Sequence, residues 1–183
     1  MSLTTQQQTT IKNWVLAQPA LATLPPSSGA VSSILSALSD TSLQTYYVYN
    51  SKTSVDDIFN NVTWANFTPV NPAAGAGTDA TNWMLACQGK QFNLQTLLTG
   101  RATIDATKAN IRAGLQDALT NIPSGVNGAN KSGGWIGVQL ILSRLATPLE
   151  QLFATGSGTQ ASPSLTGTID PIGYNDVLTI MGW

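Results

Sequence analysis

The chain contains no histidine. That removes the commonest general base and the commonest neutral metal ligand, so neither a metal centre nor another cofactor is expected. Cysteine occurs once, at Cys87, so no disulfide can form within the chain and a Cys–His nucleophile pair is excluded. Glutamate also occurs once, at Glu150. Charge is scarce: 9% of residues, eight basic and nine acidic, against about 25% in typical domains. No apolar run approaches the roughly 18 residues of a membrane span, and the start Met1-Ser2-Leu3 has no secretory pattern. No membrane partner is expected. Nor is nucleic acid, because phosphate binding needs clustered cations and those from Lys12 to Arg144 are scattered.

What is present suffices for a globular fold. At 183 residues and 42% apolar content, the chain can bury about 70% of its unfolded surface without metal or disulfide. A nearly neutral surface rich in Thr, Ser, Asn, Gln and Gly suits packing against protein neighbours. It fits a host proteome of unusual composition equally well. The Asn61, Asn66 and Asn130 glycosylation triplets read as chance in so Asn-, Ser- and Thr-rich a chain.

Periodicity predicts one mostly α domain over residues 1–183, with an N-terminal αα-hairpin at about 4–39 and a C-terminal helical core at about 105–183. Thr4-Thr5 cap a helix carrying Ile11, Trp14 and Val15, which Pro19 stops. A stiff connection, Ala20 to Pro26, leads to a second helix capped by Ser27-Ser28 with Val31, Ile34, Leu35 and Leu38 on one stripe. Tyr46-Tyr47-Val48-Tyr49 favours an isolated extended segment. Ser54 caps a short helix with Val55, Ile58 and Phe59, and residues 68–77 form a loop.

Thr78 or Asp79 then opens a helix that buries Trp83, Met84 and Cys87 and ends at Gly89. A short helix with Leu94, Leu97 and Leu98 stops at Gly100. Asp105 opens the longest helix, with Ile111, Leu115, Leu119 and Ile122 inward. A helix over 135–145 carries Ile136, Leu140, Ile141 and Leu145. Thr147-Pro148 and Asp170-Pro171 each combine a cap with proline at the first helical position. The last helical face is Tyr174, Val177, Leu178 and Met181.

No catalytic constellation emerges. Glycoside hydrolysis needs two carboxylates flanking a bond, and Asp56-Asp57 point to different helix faces. Asp105 with Asp117, or Glu150 with Asp170, could meet only through the fold, and caps or exposed acids are the simpler reading. Thr155-Gly156-Ser157-Gly158-Thr159 looks like a phosphate cradle but lacks the lysine and the strand–helix setting of one. Arg112 and Arg144 lie on apolar helices, where an anion site is conceivable but pairing with Asp105, Asp117 or Glu150 is expected. Trp14 and Trp83 have core spacing. Trp64, Trp135 and Trp183 are the candidate interface residues, since aromatic anchors dominate interface energy.

In the second half one pattern is familiar. Ala109-Asn110-Ile111-Arg112-Ala113-Gly114-Leu115, the run from Ser143-Arg144-Leu145-Ala146-Thr147 through Leu152-Phe153-Ala154-Thr155-Gly156-Ser157-Gly158-Thr159, and Ala161-Ser162-Pro163 resemble small virion-associated proteins of tailed bacteriophages and prophages. Gly167-Thr168-Ile169 and Asp176-Val177 approximate that group's ending, with longer spacing and a departure at Asp170-Pro171. The N-terminal helix, Leu-Pro turn and small-residue helix are also similar, whereas residues 60–90 match poorly. The resemblance implies a virion component and supplies no catalytic residues.

The expectation is therefore a non-enzymatic structural subunit in the tail, at fibre attachment or at the head–tail connection. It would be made in the bacterial host cytoplasm and act through protein–protein contacts in a homo-oligomer or multi-copy assembly with other virion proteins. The loops at 68–77 and 155–167 are expected to join Trp64, Trp135 and Trp183 in those contacts. The alternatives are a tail-associated carboxylate hydrolase and an assembly accessory outside the virion.

Overall fold

Four of the side chains expected to close a first helical turn do so, at Thr4, Ser27, Ser54 and Thr147. In a computed structural model, which describes residues 3–70, 77–167 and 170–183, the Gln7 N–H donates to the Thr4 hydroxyl at 3.2 Å and the Thr4 N–H donates back to the Gln7 side chain at 2.9 Å. Thr147 and Glu150 form the same reciprocal cap, with proline at the first helical position. Ser27 and Ser54 accept from the N–H groups of Ala30 and Asp57.

In chain order the helices are α1 (Thr5–Ala17), α2 (Pro19–Ala22), α3 (Ser28–Ser39), α4 (Val55–Asn61), α5 (Gly77–Leu98), α6 (Ala109–Leu119), α7 (Trp135–Ile141), α8 (Pro148–Phe153) and α9 (Tyr174–Met181). Short strands are β1 (Tyr47–Tyr49), β2 (Thr53–Ser54), β3 (Thr103–Ile104) and β4 (Ser143–Leu145). Helix takes 56% of the described residues and strand 9%, so the fold class is mostly α, as periodicity predicted.

The residues gather into two compact units, and the chain passes between them within β1 and β4. Residues 105–144 belong to the second unit and 145–183 to the first. The first unit unites residues up to Val48 with those from Leu145 onward. There α3 packs on α9 and α8, and α1 packs on α9. Ile11, Val15, Val31, Ile34, Leu38, Val177 and Ile180 make its core. The Lys12 ammonium donates to the Met181 carbonyl at 3.4 Å, placing a cation at the α9 C-terminus, where the helix dipole favours one.

Tyr46–Val48 is not isolated, contrary to expectation. Tyr47 N–H donates to the Gly158 carbonyl at 2.7 Å, Ser164 N–H to the Tyr47 carbonyl at 2.9 Å, and Ala146 N–H to the Tyr46 carbonyl at 2.8 Å. These partners lie far along the chain, so no local turn announces them. An additional helical turn, Pro19–Ala22, starts at the expected stop and overlaps the first part of the expected stiff connection.

The second unit is Tyr49–Arg144. Here α5 packs on α6, α4 on α7 and α6 on α7, while β2 pairs antiparallel with β3, Thr53 opposite Ile104. Ile58, Cys87, Leu94, Leu98, Leu115, Leu119 and Leu142 anchor its core.

Several boundaries differ from the sequence reading. Gly89 does not end a helix: α5 runs unbroken through it to Leu98, fusing two expected helices. An interior glycine costs only about 1 kcal/mol relative to alanine, and burial of Cys87, Leu94 and Leu98 outweighs that. Met84 is exposed rather than core. Asp105 does not open α6. Its carboxylate accepts from the Thr107 N–H at 3.0 Å and hydroxyl at 2.6 Å, a local turn that delays the helix to Ala109. At 11 residues α6 is half the length of the 22-residue α5.

The segment 135–145 is helical only to Ile141, and Ser143–Leu145 is extended. Its inward face is Val138 and Leu142, not Ile136 and Leu140, which are exposed. With apolar residues all round so short a helix, periodicity does not choose a face. Pro171 precedes α9 rather than starting it; Gly173 is the cap residue, its N–H bound to Asp176 at 2.8 Å. Residues 71–76 of the expected 68–77 loop, the Thr78 side chain, and Thr168 and Ile169 lie outside the described residues.

Leu35 is only partly buried, against the complete burial of Ile34. Its share of the roughly 1.5–3 kcal/mol of a fully buried leucine is correspondingly reduced. Leu35→Ala should cost about 1 kcal/mol in chemical denaturation. A loss of about 3 kcal/mol would place Leu35 at the centre of the core.

Candidate functional site

Arg112 and Gln116 are four residues apart on α6, and Trp135 and Gln139 are four apart on α7. Each pair therefore shares a helix face. With α6 packed on α7, these four side chains join Tyr49 and Leu142 around a cavity of about 140 Å³. Pockets for metabolites and cofactors span about 300–1,000 Å³. This one has room for a single small group.

Arg112 is firmly held. One guanidinium nitrogen donates to the carbonyls of Ala106 at 2.7 Å and Thr107 at 2.9 Å. Its Cζ stands 4.0 Å above the centre of the Tyr49 ring, a cation–π contact of about 0.5–2 kcal/mol. The expected pairing of Arg112 with Asp105 or Asp117 does not occur. Asp105 is turned to Thr107 and Lys108, and Asp117 pairs with Lys90 at 2.9 Å. The Thr107 hydroxyl, chiefly, holds the Asp105 carboxyl below the usual carboxylate range, aided by the Thr107 N–H and Lys108 against some desolvation. Among the described residues, no carboxylate lies within ion-pair distance of Arg112.

The three candidate tryptophans occupy different settings. Trp64 is exposed at 37% of its surface, yet its ring lies against Phe59 and Phe67, with centroids 5.6 and 5.8 Å away. Its indole N–H donates to the Phe59 carbonyl at 3.2 Å. Trp135 is partly buried and lines the Arg112 cavity. Trp183 is partly buried against the first unit's core, its backbone N–H bound to the Leu178 carbonyl. Trp135 shares its cavity with a charged side chain, Arg112.

The glycine-rich stretch after α8 is a wrap around Tyr46, not a phosphate cradle. Gly158 has φ +65°, and a Cβ there would collide with the Tyr46 ring. The Tyr46 hydroxyl donates to the Gly156 carbonyl at 3.1 Å and shares a 2.7 Å hydrogen bond with the Ser164 hydroxyl. Thr155 and Leu165 bridge the ends of this stretch.

Four further acids lie at helix starts. Glu150 and Asp176 close caps, and Asp56 and Asp57 sit in the first turn of α4. Among the described residues, no three His, Cys, Asp or Glu side chains gather as a metal site. Burial pushes the Cys87 thiol up, which keeps it protonated and unreactive near neutral pH.

A second feature is a surface. α5 buries Cys87, Leu94 and Leu98 on one side, while Met84, Leu85 and Phe92 are 50%, 61% and 67% exposed. Among the described residues, no helix is long and apolar enough to cross a membrane.

Trp135 as an interface residue and an anion site at Arg112 are each visible in the sequence, but their meeting in one cavity is not. The visible signal was the pair of i,i+4 spacings; the α6–α7 packing was not visible. Comparison with protein-family models, curated proteins and solved structures finds no match in any of the three.

Proposed function

We propose that this chain is a structural subunit of a tailed-phage virion, in the tail, at tail-fibre attachment or at the head–tail connection, working through protein–protein contacts in a multi-copy assembly. The observation that carries the contact role is α5. Large apolar side chains on the outer side of a helix are stabilised where a neighbour covers them. Its own unit covers Cys87, Leu94 and Leu98 but leaves Met84, Leu85 and Phe92 in water. A neighbouring protein would cover them.

The class of particle comes from the resemblance of residues 109–115 and 143–163 to virion-associated phage proteins. Trp135 would contribute through the Arg112 cavity and Trp64 through its exposed aromatic edge.

Mass spectrometry of purified particles tests this directly. The chain should be present at constant stoichiometry through successive density gradients, and Met84 should resist oxidation in particles while reacting in the free protein. Absence from particles would refute the subunit reading and leave an assembly accessory. Equal Met84 oxidation in both states would remove α5 from the contacts.

A further inference from the structure

We infer that the Arg112 cavity is a socket for a carboxylate side chain, Asp or Glu, presented by a protein neighbour. This rests on the subunit reading for its source of ligand. Its chemistry stands on the cavity alone.

The volume limits what can be buried inside. About 140 Å³ admits one side-chain tip and falls short of a nucleotide or sugar-sized ligand. The lining then selects among small groups. The guanidinium is a permanent cation with five N–H donors in a planar fork. Two bonds from one of its nitrogens go to the Ala106 and Thr107 carbonyls, and the Tyr49 ring lies against its face. Neutral carbonyls fix its position without neutralising its charge, and no carboxylate among the described residues supplies the counter-charge.

A planar carboxylate matches the guanidinium fork in geometry and charge. The Gln116 side chain on the same rim can donate to a second oxygen. Trp135 and Leu142 give apolar walls for the methylene that carries the carboxylate. Such an arrangement holds one acidic side chain in one orientation, as registry between subunits requires. A chain with so few charges gains specificity from placing one cation where only an acid fits.

The test uses the full-length chain in solution and follows the Trp135 indole N–H and the Arg112 Nε–H by ¹⁵N NMR. The probe is glutamate blocked at both ends, with blocked glutamine, phosphate and citrate as comparisons. Blocked glutamate should move both signals saturably, and blocked glutamine should leave them unmoved. Gln116→Leu, which keeps the contacts that hold Arg112, should weaken glutamate binding severalfold. Arg112→Gln should weaken it at least tenfold.

Glutamine acting as strongly as glutamate, or no saturable shift with glutamate, would overturn the socket. Phosphate binding more tightly than glutamate would make it a general anion site, and tenfold tighter citrate binding would point to a free small carboxylate. Both outcomes reject a neighbour's side chain. Because no variant is needed for the first comparison, an unfolded Arg112→Gln protein leaves the test intact. Particle mass spectrometry reports on the subunit reading separately, so either can fail without the other.

Discussion

Leu115→Ala should destabilise the protein by about 2–5 kcal/mol, the range for truncating a fully buried leucine. Leu115 lies mid-way along α6 with no exposed surface, in the same core as Cys87, Leu94 and Leu98 of α5. Loss of its branched end removes transfer energy and leaves a void that two helices packed along their length cannot close. In urea the unfolding midpoint should fall while the slope, which reports surface exposed on unfolding, stays constant. The contrast with Leu35→Ala makes the test sharper, because both are mid-helix leucines and differ in burial. Equal losses for the two would remove Leu115 from the core.

Gly134→Ala should be comparably severe for a different reason. Gly134 adopts φ +99° immediately before α7. A residue with a Cβ pays about 1–2 kcal/mol for left-handed backbone. That Cβ would also run into the Asn61 carbonyl oxygen and lie 3.1 Å from the Thr63 nitrogen, adding an overpacking cost of about 1–3 kcal/mol. The Thr63 N–H already donates to the Gly133 carbonyl, so the colliding backbone has little freedom to retreat. Gly89→Ala is the internal control: it lies within α5 with nothing within 4 Å of its would-be Cβ. That substitution should stabilise by about 0.4–1 kcal/mol. A harmless Gly134→Ala would mean that α7 does not approach the end of α4 in this way.

The local chemistry of four helix starts was legible from sequence, whereas Asp105 and Asp170-Pro171 signalled starts that the chain does not use. Thr4, Ser27, Ser54 and Thr147 all cap, because a side chain and an N–H three residues on are neighbours whatever the tertiary fold. Stops and faces were less legible. Gly89 carries a penalty that distant packing outweighs, and Val138 displaces Ile136 inward only because α4 and α6 lie where they do. β1's partners and the Arg112–Tyr49 contact join residues far apart in sequence, so neither spacing nor propensity could find them. The candidate site was half visible: Trp135 and Arg112 stood out, while the cavity between them depends on α6 meeting α7.

The first unit is built from two ends of the chain, with the second unit's 49–144 segment between them. During synthesis, α1 and α3 emerge with Ile11, Val15, Val31 and Ile34 unshielded, and α9, which covers them, follows on the order of ten seconds later at about 5–20 residues per second. The intervening segment carries its own core and can condense during that delay. Vectorial folding would therefore run from the inside outward, with the inserted unit complete before its host. The nascent N-terminal helices meanwhile form an apolar surface for a chaperone to shield. A ribosome stalled just before Tyr174 would display a folded middle and an open host, and release of α9 would close it.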